Sequence, residues 1–347
     1  MPAGFLNTAV LPPSTDHPGA GCCIGFRSSI PAELMLESPL GLSRRRQRVN
    51  RTRPSIEQAI ATLEESGDYR ILRRLRPRPA VPAPEGEVLR TAIFLDLETT
   101  GLDPARDEII EIALVPFTYG RGSGRLYEVG KAFQGLRQPT MPIPDKITEL
   151  TGLDDAMVAG KSIDPADIAR FIAGSSLVIA HNARFDRPFA ERFCPTFATV
   201  PWACSLSQVP WQDEGFAGTR LEYLAMGSGF FYDAHRATDD CLAAIELLAR
   251  PLPKSGSLTL QRLLEAARQV TCRVWAEGAP FDLKEQLKAR GYRWSDGTDG
   301  RPRAWYTDVP EPDLPTELDF LSKEIYQRDV DLPVTRITAR ERFSSRV

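Results

Sequence analysis

The sequence predicts an α/β protein, in which a mixed five-stranded sheet is covered by helices on both faces and is followed by a small α+β module. Two observations support this prediction. Three strand-like runs follow one another with short links, as in an antiparallel meander, and helical and strand-like segments then alternate. After a second linker, the patterns follow the order strand, helix, strand, strand, helix, strand, which is the order of a βαββαβ module.

The composition favours a soluble globular protein. The chain has 347 residues, which is more than one typical domain, and 42% of them are hydrophobic and 26% charged. No apolar run approaches the ~20 residues that cross a bilayer, and we expect neither a secretory signal nor a membrane partner. The six cysteines show no C-x-x-C pair and no compact spacing, so we expect reduced thiols in a cytoplasmic protein.

The N-terminal part is predicted to lie outside the main fold. Residues 1–53 lack a periodic apolar pattern and end in an arginine run, so we predict a disordered segment. The run contrasts with a net charge of only -3 for the whole chain, and it either adds non-specific phosphate affinity or is a charged tail. Residues 54–88 should hold one or two short amphipathic helices up to Leu75, followed by a stiff proline-rich linker.

Residues 89–250 form the largest predicted domain. Hydrophobic patterns predict its strands at residues 91–97, 109–117, 126–133, 176–180 and 199–203. They predict its helices at residues 164–173, 187–193, 219–225 and 238–249. Because the first three strands have short connections and the last two alternate with helices, the sheet should be mixed.

Residues 251–347 are predicted to form a small accessory domain with a ferredoxin-like order. After a helix at 258–270, the patterns predict strands and helices at residues 271–276, 283–289, 292–294, 304–309, 316–326 and 334–339. The predicted hairpin carries aromatic and basic side chains, namely Tyr292, Arg293, Trp294, Arg301, Arg303, Trp305 and Tyr306. They either stack bases and contact phosphates, or form a core beside solvated arginines. We favour the core, because small domains need large aromatic side chains to bury enough area.

The first candidate site is a pair of carboxylates at the end of the first strand. Asp96 and Glu98 are two residues apart, so both side chains should leave the same face of a strand that is otherwise apolar. Two neighbouring anions in a core need a counter-charge, which a cation would supply. The alternative is a fraying strand end at which both carboxylates face water.

The second candidate site follows the strand at residues 176–180. His181 and Asn182 come directly after this strand, and Asp186 lies near the start of the next helix. Polar groups at the carboxyl ends of parallel strands face the ligand crevice of an α/β sheet. The alternative for Asp186 is a helix N-cap, which is a common use of aspartate.

The third candidate site precedes the helix at residues 238–249. His235 lies in a predicted loop, and Asp240 lies in the first turn of the helix. Here too, either Asp239 or Asp240 has an alternative interpretation as a cap.

Taken together, the three sites indicate one metal centre. The chain has just three histidines, and His181 and His235 each lie five residues before an aspartate at a strand–loop–helix boundary. Four carboxylates converging on one crevice would repel one another unless hard divalent cations neutralised them. Mg²⁺ and Mn²⁺ prefer such oxygen ligands, so the sequence predicts a two-metal phosphoryl-transfer site.

Three stretches of the chain resemble the exonuclease motifs of the DEDDh (DnaQ-like) 3′–5′ exonuclease superfamily. They are Phe-Leu-Asp-Leu-Glu-Thr-Thr-Gly-Leu at residues 94–102, Ala-His-Asn-Ala-Arg-Phe-Asp at 180–186 and His-Arg-Ala-Thr-Asp-Asp at 235–240. The proofreading epsilon subunit of bacterial DNA polymerase III belongs to this superfamily. The resemblance covers about residues 88–250 and implies a ribonuclease H-like fold.

By motif position, the resemblance implies a role for each acidic residue. Asp96, Glu98, Asp186 and Asp240 would bind two ions of Mg²⁺ or Mn²⁺, and His235 would be the general base. A histidine five residues before the last aspartate is typical of the histidine branch of the superfamily. The sister branch has a tyrosine four residues before that aspartate.

The chain departs from the tyrosine branch, and at one position from many relatives. Tyr232 lies eight residues before the last aspartate, so it does not match the tyrosine branch. Many relatives carry an Asp-Thr pair where this chain has Ala203-Cys204, but that position is not a ligand. Cys241 follows the last aspartate and should point away from the site and pack in the core.

The resemblance also implies a substrate slot. Thr99, Thr100 and Leu102 would line the slot for the terminal nucleotide, with Leu102 against a base; the alternative for Leu102 is simple turn packing. His181 and Asn182 would touch the adjoining phosphate or orient the neighbouring aspartate.

The expected function is removal of nucleoside monophosphates from the 3′ end of DNA, in proofreading or DNA repair. The expected partner is single-stranded or 3′-end nucleic acid, DNA rather than RNA, and any polymerase would be a separate chain. One alternative is an RNA-trimming 3′–5′ exoribonuclease. Another is a non-catalytic nucleic-acid-binding subunit, which the five filled catalytic positions disfavour.

Overall fold

A computed structural model describes residues 55–298 and 300–347, so the predicted disordered segment and its arginine run lie outside the described residues. The first half contains α1 (Ile56–Glu65), β1 (Arg73–Arg74), β2 (Leu89–Thr99), β3 (Ile109–Gly120), β4 (Leu126–Val129), β5 (Phe133–Leu136), α2 (Asp145–Thr151), α3 (Asp155–Val158), α4 (Pro165–Ile172), β6 (Leu177–Ala180), α5 (Ala183–Phe193) and β7 (Trp202–Cys204).

The second half continues the same numbering. It contains α6 (Leu221–Gly227), β8 (Phe230–Phe231), α7 (Ala237–Leu248), α8 (Thr259–Arg268), β9 (Thr271–Ala276), α9 (Lys284–Ala289), β10 (Arg293–Trp294), β11 (Trp305–Pro310), α10 (Leu314–Phe320) and β12 (Val334–Ile337). None of these described helices combines the length and apolar character needed to cross a bilayer.

The central sheet has the mixed topology that the sequence predicts. Its strand order is β4-β3-β2-β6-β7, in which β2 is antiparallel to β3 and parallel to β6, and β6 is parallel to β7. Three antiparallel strands followed by two parallel ones, with the first strand in the centre, is the ribonuclease H-like arrangement. The fold class implied by the resemblance is confirmed.

The sheet has six strands instead of five, because the run predicted at residues 126–133 is two strands. Both β4 and β5 pair with β3. Between them the Gly130 amide donates to the Pro116 carbonyl at 2.7 Å, and a Cβ at Gly130 would lie 3.0 Å from the Pro116 ring. The ladder is therefore interrupted where the chain passes a proline, which cannot donate a backbone hydrogen bond.

The prediction of helix up to Leu75 is wrong. Helix α1 starts at a capping box on Ser55 and ends at Glu65. Residues Arg73–Arg74 instead form strand β1, which pairs in parallel with Phe230–Phe231 of β8. Backbone pairing with a distant strand has overridden the local apolar pattern here.

Helix α7 packs on one face of the sheet and α5 on the other. Ala92 and Phe94 of β2 belong to the cluster that includes α7, whereas Ile93 and Leu95 belong to the cluster that includes α5. This is the alternation expected of a strand that is buried on both faces. Cys241 of α7 is fully buried with its Sγ 3.6 Å from the Phe94 carbonyl, so the expected packing role is confirmed.

The C-terminal strands form a separate antiparallel sheet, in which the strands lie in the order β10-β11-β9-β12. Along the chain the elements follow the predicted βαββαβ order. The predicted aromatic core is only partly confirmed. Tyr292 and Tyr306 are buried, but Trp294 is half exposed and packs edge-on against Trp305. The helix predicted at residues 316–326 starts at Leu314 as α10 and ends in a π-helical turn, Leu321–Tyr326.

Residues beyond β12 return to the central sheet and its helices. The fully buried guanidinium of Arg187 on α5 donates to the carbonyls of Ala339, Arg340 and Arg342. The Trp202 amide of β7 donates to the Ala339 carbonyl at 2.7 Å. The last part of the chain is therefore tied to the central sheet, and residues 55–347 form one compact unit.

Candidate active site

Asp96 and Glu98 lie where β2 leaves the core, on the face covered by α7. They follow Ala92 and Phe94 on the same face, because side chains alternate along a strand. The ladder with β3 continues through Glu98 and shifts register only between Glu98 and Thr99. The fraying alternative is therefore wrong, since both carboxylates sit in paired strand and are largely removed from water.

Asp240 faces this pair from the first turn of α7. Carboxylate oxygens of Asp96, Glu98 and Asp240 lie within 4.8 Å of one another. The Asp240 carboxylate accepts hydrogen bonds from the Tyr232 hydroxyl at 2.8 Å and from the His235 amide at 2.9 Å. The alternative of a helix cap is wrong for Asp239 and Asp240, because the N-cap is Arg236 and no side chain caps the helix there.

Asp186 approaches the site from α5. This helix starts at Ala183, four residues earlier than predicted, after Asn182 in the left-handed conformation with φ 86°. Asp186 is thus inside the first turn, 3% exposed, and the N-cap alternative for it is wrong. It is outside the group of three whose oxygens lie within 4.8 Å, although its charge acts on Asp96.

Burial and mutual repulsion make this cluster costly to ionise. Burial, followed by the charges of Asp186, Asp240 and Glu98, raises the pKa of Asp96 well above its usual range. Burial, with Asp240 adding to it, raises the pKa of Glu98 to about 8. Buried carboxylates with raised pKa values and oxygen donors only are a donor set that fits hard divalent cations.

Glu111 is a fifth carboxylate that sequence reasoning missed. It is fully buried and lies opposite Glu98 in the β2–β3 ladder. It accepts hydrogen bonds from Gln134 Nε2 at 2.6 Å, from Arg236 at 3.2 Å and from the Ala237 amide at 3.4 Å. Glu111 therefore supports the N-terminus of α7; its signal in the sequence is a glutamate that interrupts the apolar run Ile-Ile-Glu-Ile-Ala.

His235 lies beside the cluster in a strained backbone conformation. Its φ is 66°, a left-handed value that is uncommon for a residue other than glycine. Its side chain is 43% exposed, with Nε2 3.5 Å from the Glu222 carboxylate of α6. Its amide donates to Asp240, so the same residue fixes a carboxylate through its backbone and presents a partly exposed ring.

His181 has protein partners on both ring nitrogens. Nδ1 lies 2.9 Å from the Ser205 hydroxyl and Nε2 lies 2.8 Å from the Thr219 carbonyl. Burial lowers the pKa of His181, which favours the neutral ring. In that form Nε2 would donate to the Thr219 carbonyl and Nδ1 would accept from the Ser205 hydroxyl. A phosphate contact by His181 would require one of these hydrogen bonds to break, whereas the adjoining Asn182 is exposed.

The segment after the acidic pair forms a wall with one exposed apolar side chain. Thr99 and Thr100 are buried, and their hydroxyls bond the carbonyl of Gly101 and the amide of Glu108. Leu102 is 82% exposed, so the turn-packing alternative for it is wrong.

Comparison with known proteins assigns the family. Residues 93–248 match the family model of the RNase_T exonucleases. The DNA polymerase III subunit epsilon of Treponema pallidum is 33% identical over 162 residues, which are 44% of this chain and 72% of that protein. The chain belongs to the DnaQ-like exonuclease superfamily.

This chain spans only about a tenth of the length of some relatives. The PolC-type DNA polymerase III of Clostridium perfringens is 32% identical over 168 residues, which are 45% of this chain but 11% of the polymerase. A solved structure of Escherichia coli Exonuclease I in complex with a dA16 oligonucleotide aligns at 18% identity with a TM-score of 0.41, covering 73% of this chain and 64% of that one. At that score the structural similarity adds no weight to the assignment.

The region that matches the exonuclease family contains the whole acidic cluster and His235. It also contains the one noted departure from many relatives, Ala203-Cys204. Both residues are buried in strand β7 and pack in the hydrophobic clusters on either side of the sheet. The departure therefore affects core packing in the exonuclease domain and leaves the acidic cluster intact.

Proposed function

We propose that the protein is a metal-dependent 3′–5′ exonuclease that hydrolyses the terminal phosphodiester bond of a DNA strand and releases nucleoside monophosphates. The observation that supports this most strongly is the convergence of Asp96, Glu98 and Asp240 within 4.8 Å in a domain of exonuclease sequence. Such a cluster has little use in a purely structural role, because it opposes its own burial.

The four motif carboxylates would hold the metal. Asp96, Glu98 and Asp240 form the compact group, and Asp186 would complete it from α5. Two ions of Mg²⁺ or Mn²⁺, when bound, would supply Lewis acidity at the scissile phosphate and lower the pKa of the attacking water. Tyr232 and the His235 amide would hold Asp240 in its orientation during this chemistry.

His235 would take the proton from the attacking water. Imidazole is suited to this task near neutral pH. The ring is half exposed and bound to the protein mainly through the 3.5 Å contact with Glu222. Rotation away from Glu222 when substrate arrives would bring Nε2 toward the scissile phosphate, and Glu222 would hold the ring aside until then.

The terminal nucleotide would lie beside the segment that follows Glu98. The exposed side chain of Leu102 would stack against a base, and the backbone near Thr99 and Thr100 would contact the sugar 3′ hydroxyl. Asn182 would touch the adjoining phosphate. His181 would act by orienting the loop before α5 through its bonds to Ser205 and Thr219.

The biological setting we propose is proofreading or repair, with any polymerase supplied as a separate chain. Two sequence relatives are named as DNA polymerase III proteins, which supports DNA as the substrate. An RNA-trimming activity and an idle binding subunit are the outcomes against which this proposal is tested.

The deciding experiment uses 5′-labelled single-stranded DNA, mismatched duplex DNA and RNA of the same sequence, each with Mg²⁺ or Mn²⁺. Stepwise shortening of DNA from the 3′ end is expected, with loss of at least about 10³-fold in the Asp96→Ala variant. The matched control is Asp319→Ala, which removes an exposed carboxylate paired with Lys323 in the C-terminal module. Degradation of RNA alone would select the exoribonuclease, and binding without shortening would select the idle subunit.

A further inference from the structure

A second concave site lies outside the acidic cluster, between helices α5 and α8 and the C-terminal sheet. This cleft has a volume of about 710 Å³. Its lining includes six arginines, which are Arg184, Arg262, Arg273, Arg293, Arg301 and Arg342. The acidic side chains that line it, within residues 55–298 and 300–347, are Glu265 and Asp308. We call it the arginine cleft, and its excess of positive charge suits an anionic ligand.

Strand β11 supplies the floor of the arginine cleft. Asp308 accepts from Arg273 Nε at 2.6 Å and Nη2 at 3.0 Å, and from Arg293 at 3.2 Å. The guanidinium groups of Arg273, Arg293 and Arg301 lie 4.9, 4.9 and 5.8 Å from the centre of the Tyr306 ring. One carboxylate and one aromatic ring thus hold several cations in fixed orientations.

Arg273 gives an independent indication of a ligand. It is only 6% exposed, yet its Nη1 has no hydrogen-bond partner among the described residues. Buried donors in native proteins nearly always have partners, and leaving one unpaired is unfavourable. Asp308, the ion-pair partner of Arg273, also pairs with Arg293, so these two guanidinium groups share a single carboxylate. A phosphate group in the cleft would supply the missing negative charge beside Arg273 and Arg293.

We propose that the arginine cleft binds the phosphodiester backbone of a single nucleic acid strand. The cleft is larger than one phosphate requires, and arginines reach it from two sides, with Arg184 on α5 and Arg262 on α8 across from those of the sheet. This arrangement fits several consecutive phosphates. The identity of the ligand as nucleic acid rests on the proposed exonuclease function.

The position of the cleft connects it to the acidic cluster. Arg184 and Asp186 are two residues apart in α5 and therefore lie on nearly opposite faces of this helix, so α5 stands between the arginine cleft and the acidic cluster. A strand whose 3′ end lies at the acidic cluster would continue past α5 into the arginine cleft. The protein would then keep hold of a strand while its end is shortened, and long strands would bind more tightly than short ones.

The test measures binding of 5′-labelled oligothymidylates of about 4 and about 16 nucleotides by fluorescence anisotropy, with the full chain and a chelator present to prevent hydrolysis. The test variant combines Arg262→Gln and Arg293→Gln, both exposed. The control combines Arg125→Gln and Arg328→Gln, which are exposed and outside the cleft. In the test variant, affinity for the long strand should fall about tenfold and the log–log salt slope by roughly 1.4, since single strands lose about 0.7 per phosphate contact.

A parallel assay separates this inference from the proposed function. Hydrolysis of a small chromogenic thymidine phosphodiester, which is too short to reach the arginine cleft, should be unchanged in the test variant. If the ester is hydrolysed but long-strand affinity is unchanged or falls equally in the control, the cleft proposal is overturned and the exonuclease proposal stands. If the ester is not hydrolysed but strand binding still depends on the two arginines, the exonuclease proposal is overturned and the cleft proposal stands.

A competition arm distinguishes a strand from a free anion. Inorganic phosphate or thymidine monophosphate at the concentration of the oligonucleotide should not displace the long strand. Complete displacement by either would show a site for free phosphate and overturn the proposal.

Discussion

At the scale of single residues, the acidic cluster sets metal binding against the stability of the metal-free protein. Glu98 is the clearest case, because its pKa is raised to about 8, mainly by burial and then by Asp240. In the unfolded chain it would titrate near 4.5. The folded protein therefore holds a proton on Glu98 at neutral pH that the unfolded chain has lost, and a metal ion must displace that proton.

The pH dependence of stability follows from the direction of this pKa shift. Without metal, the Glu98 contribution to stability is fully present below the unfolded pKa and is lost as pH rises toward about 8. With Mg²⁺, affinity should rise over the same range, because the carboxylate is deprotonated. Thermal unfolding with and without Mg²⁺ at about pH 6.5 and about pH 9 should show a larger metal-induced rise in Tm at the higher pH. An equal metal-induced rise in Tm at the two pH values would contradict the assignment of Glu98 as a metal ligand with a raised pKa.

Tyr232 is expected to position Asp240. Tyr232→Phe removes the 2.8 Å hydrogen bond to this carboxylate while keeping the ring. We expect kcat to fall about tenfold and Mg²⁺ affinity to weaken, as for other partners of metal ligands. The matched control is Tyr326→Phe, which loses one hydroxyl bond to the Glu277 carbonyl in the C-terminal module. Equal effects of the two variants on kcat would indicate a purely structural role.

Sequence reasoning identified the carboxylates whose signal was local. Asp96 and Glu98 follow an apolar strand two residues apart, and the structure brings both together with Asp240. Glu111 was missed because it reaches the site only through its register opposite Glu98, and register is set by pairing across the sheet. Tyr232 was set aside on spacing alone, but the left-handed turn at His235 brings it back to the carboxylate.

At the scale of elements, the turn before α5 decides where Asp186 points. Asn182 has φ 86° and ψ 50°, and no side chain caps the helix there. Sequence reasoning placed the helix start four residues too late, because a left-handed asparagine leaves no pattern of apolar spacing.

Substitution of Asn182 should show how much the left-handed backbone conformation of this turn matters for stability. Asn182→Val places a β-branched residue at a positive φ, which costs roughly 1–2 kcal/mol, and should lower Tm by about 2–6 °C. Asn182→Gly accepts the conformation and should keep Tm within about 2 °C of the original. Circular dichroism melts of both variants give the measurement, and equal melting temperatures would show that the turn tolerates a β-branched side chain.

The short elements show why local patterns fail. β1 and β8 have two residues each and exist only because they pair with one another. The long elements were predicted well, since β9 spans the predicted residues and α7 differs by a single residue at each end. Their apolar spacing alone identifies them.

At the scale of the whole molecule, the C-terminal residues are part of the exonuclease support. We retain the division into 89–250 and 251–347 as a proposal, but Arg187 bonds three carbonyls from beyond β12. The sequence gives no sign of this, because the partners are backbone groups about 150 residues further along the chain.

Arg187→Ala should test this connection. The variant removes three hydrogen bonds to these carbonyls and the ion pair with Glu191, while Arg346 still pairs with Glu191. We expect a cost of about 2–3 kcal/mol and a fall in Tm of roughly 4–12 °C. Activity should fall with it, since Asp186 is the adjoining residue of α5. The control is Arg170→Ala, an exposed arginine paired with Asp167, which should shift Tm by less than about 1 °C. Similar melting points for the two variants would contradict a supporting role for the tail.

The pairing of β1 with β8 has a practical consequence for experiments on this protein. Arg73 and Leu75 bond the backbone of Gly229 and Phe231, directly before the turn that carries His235. A recombinant fragment limited to the family region, residues 93–248, would lack β1. Strand β8, which precedes the turn at His235, would then lose its pairing partner. A fragment that keeps the turn at His235 supported should begin upstream of Arg73.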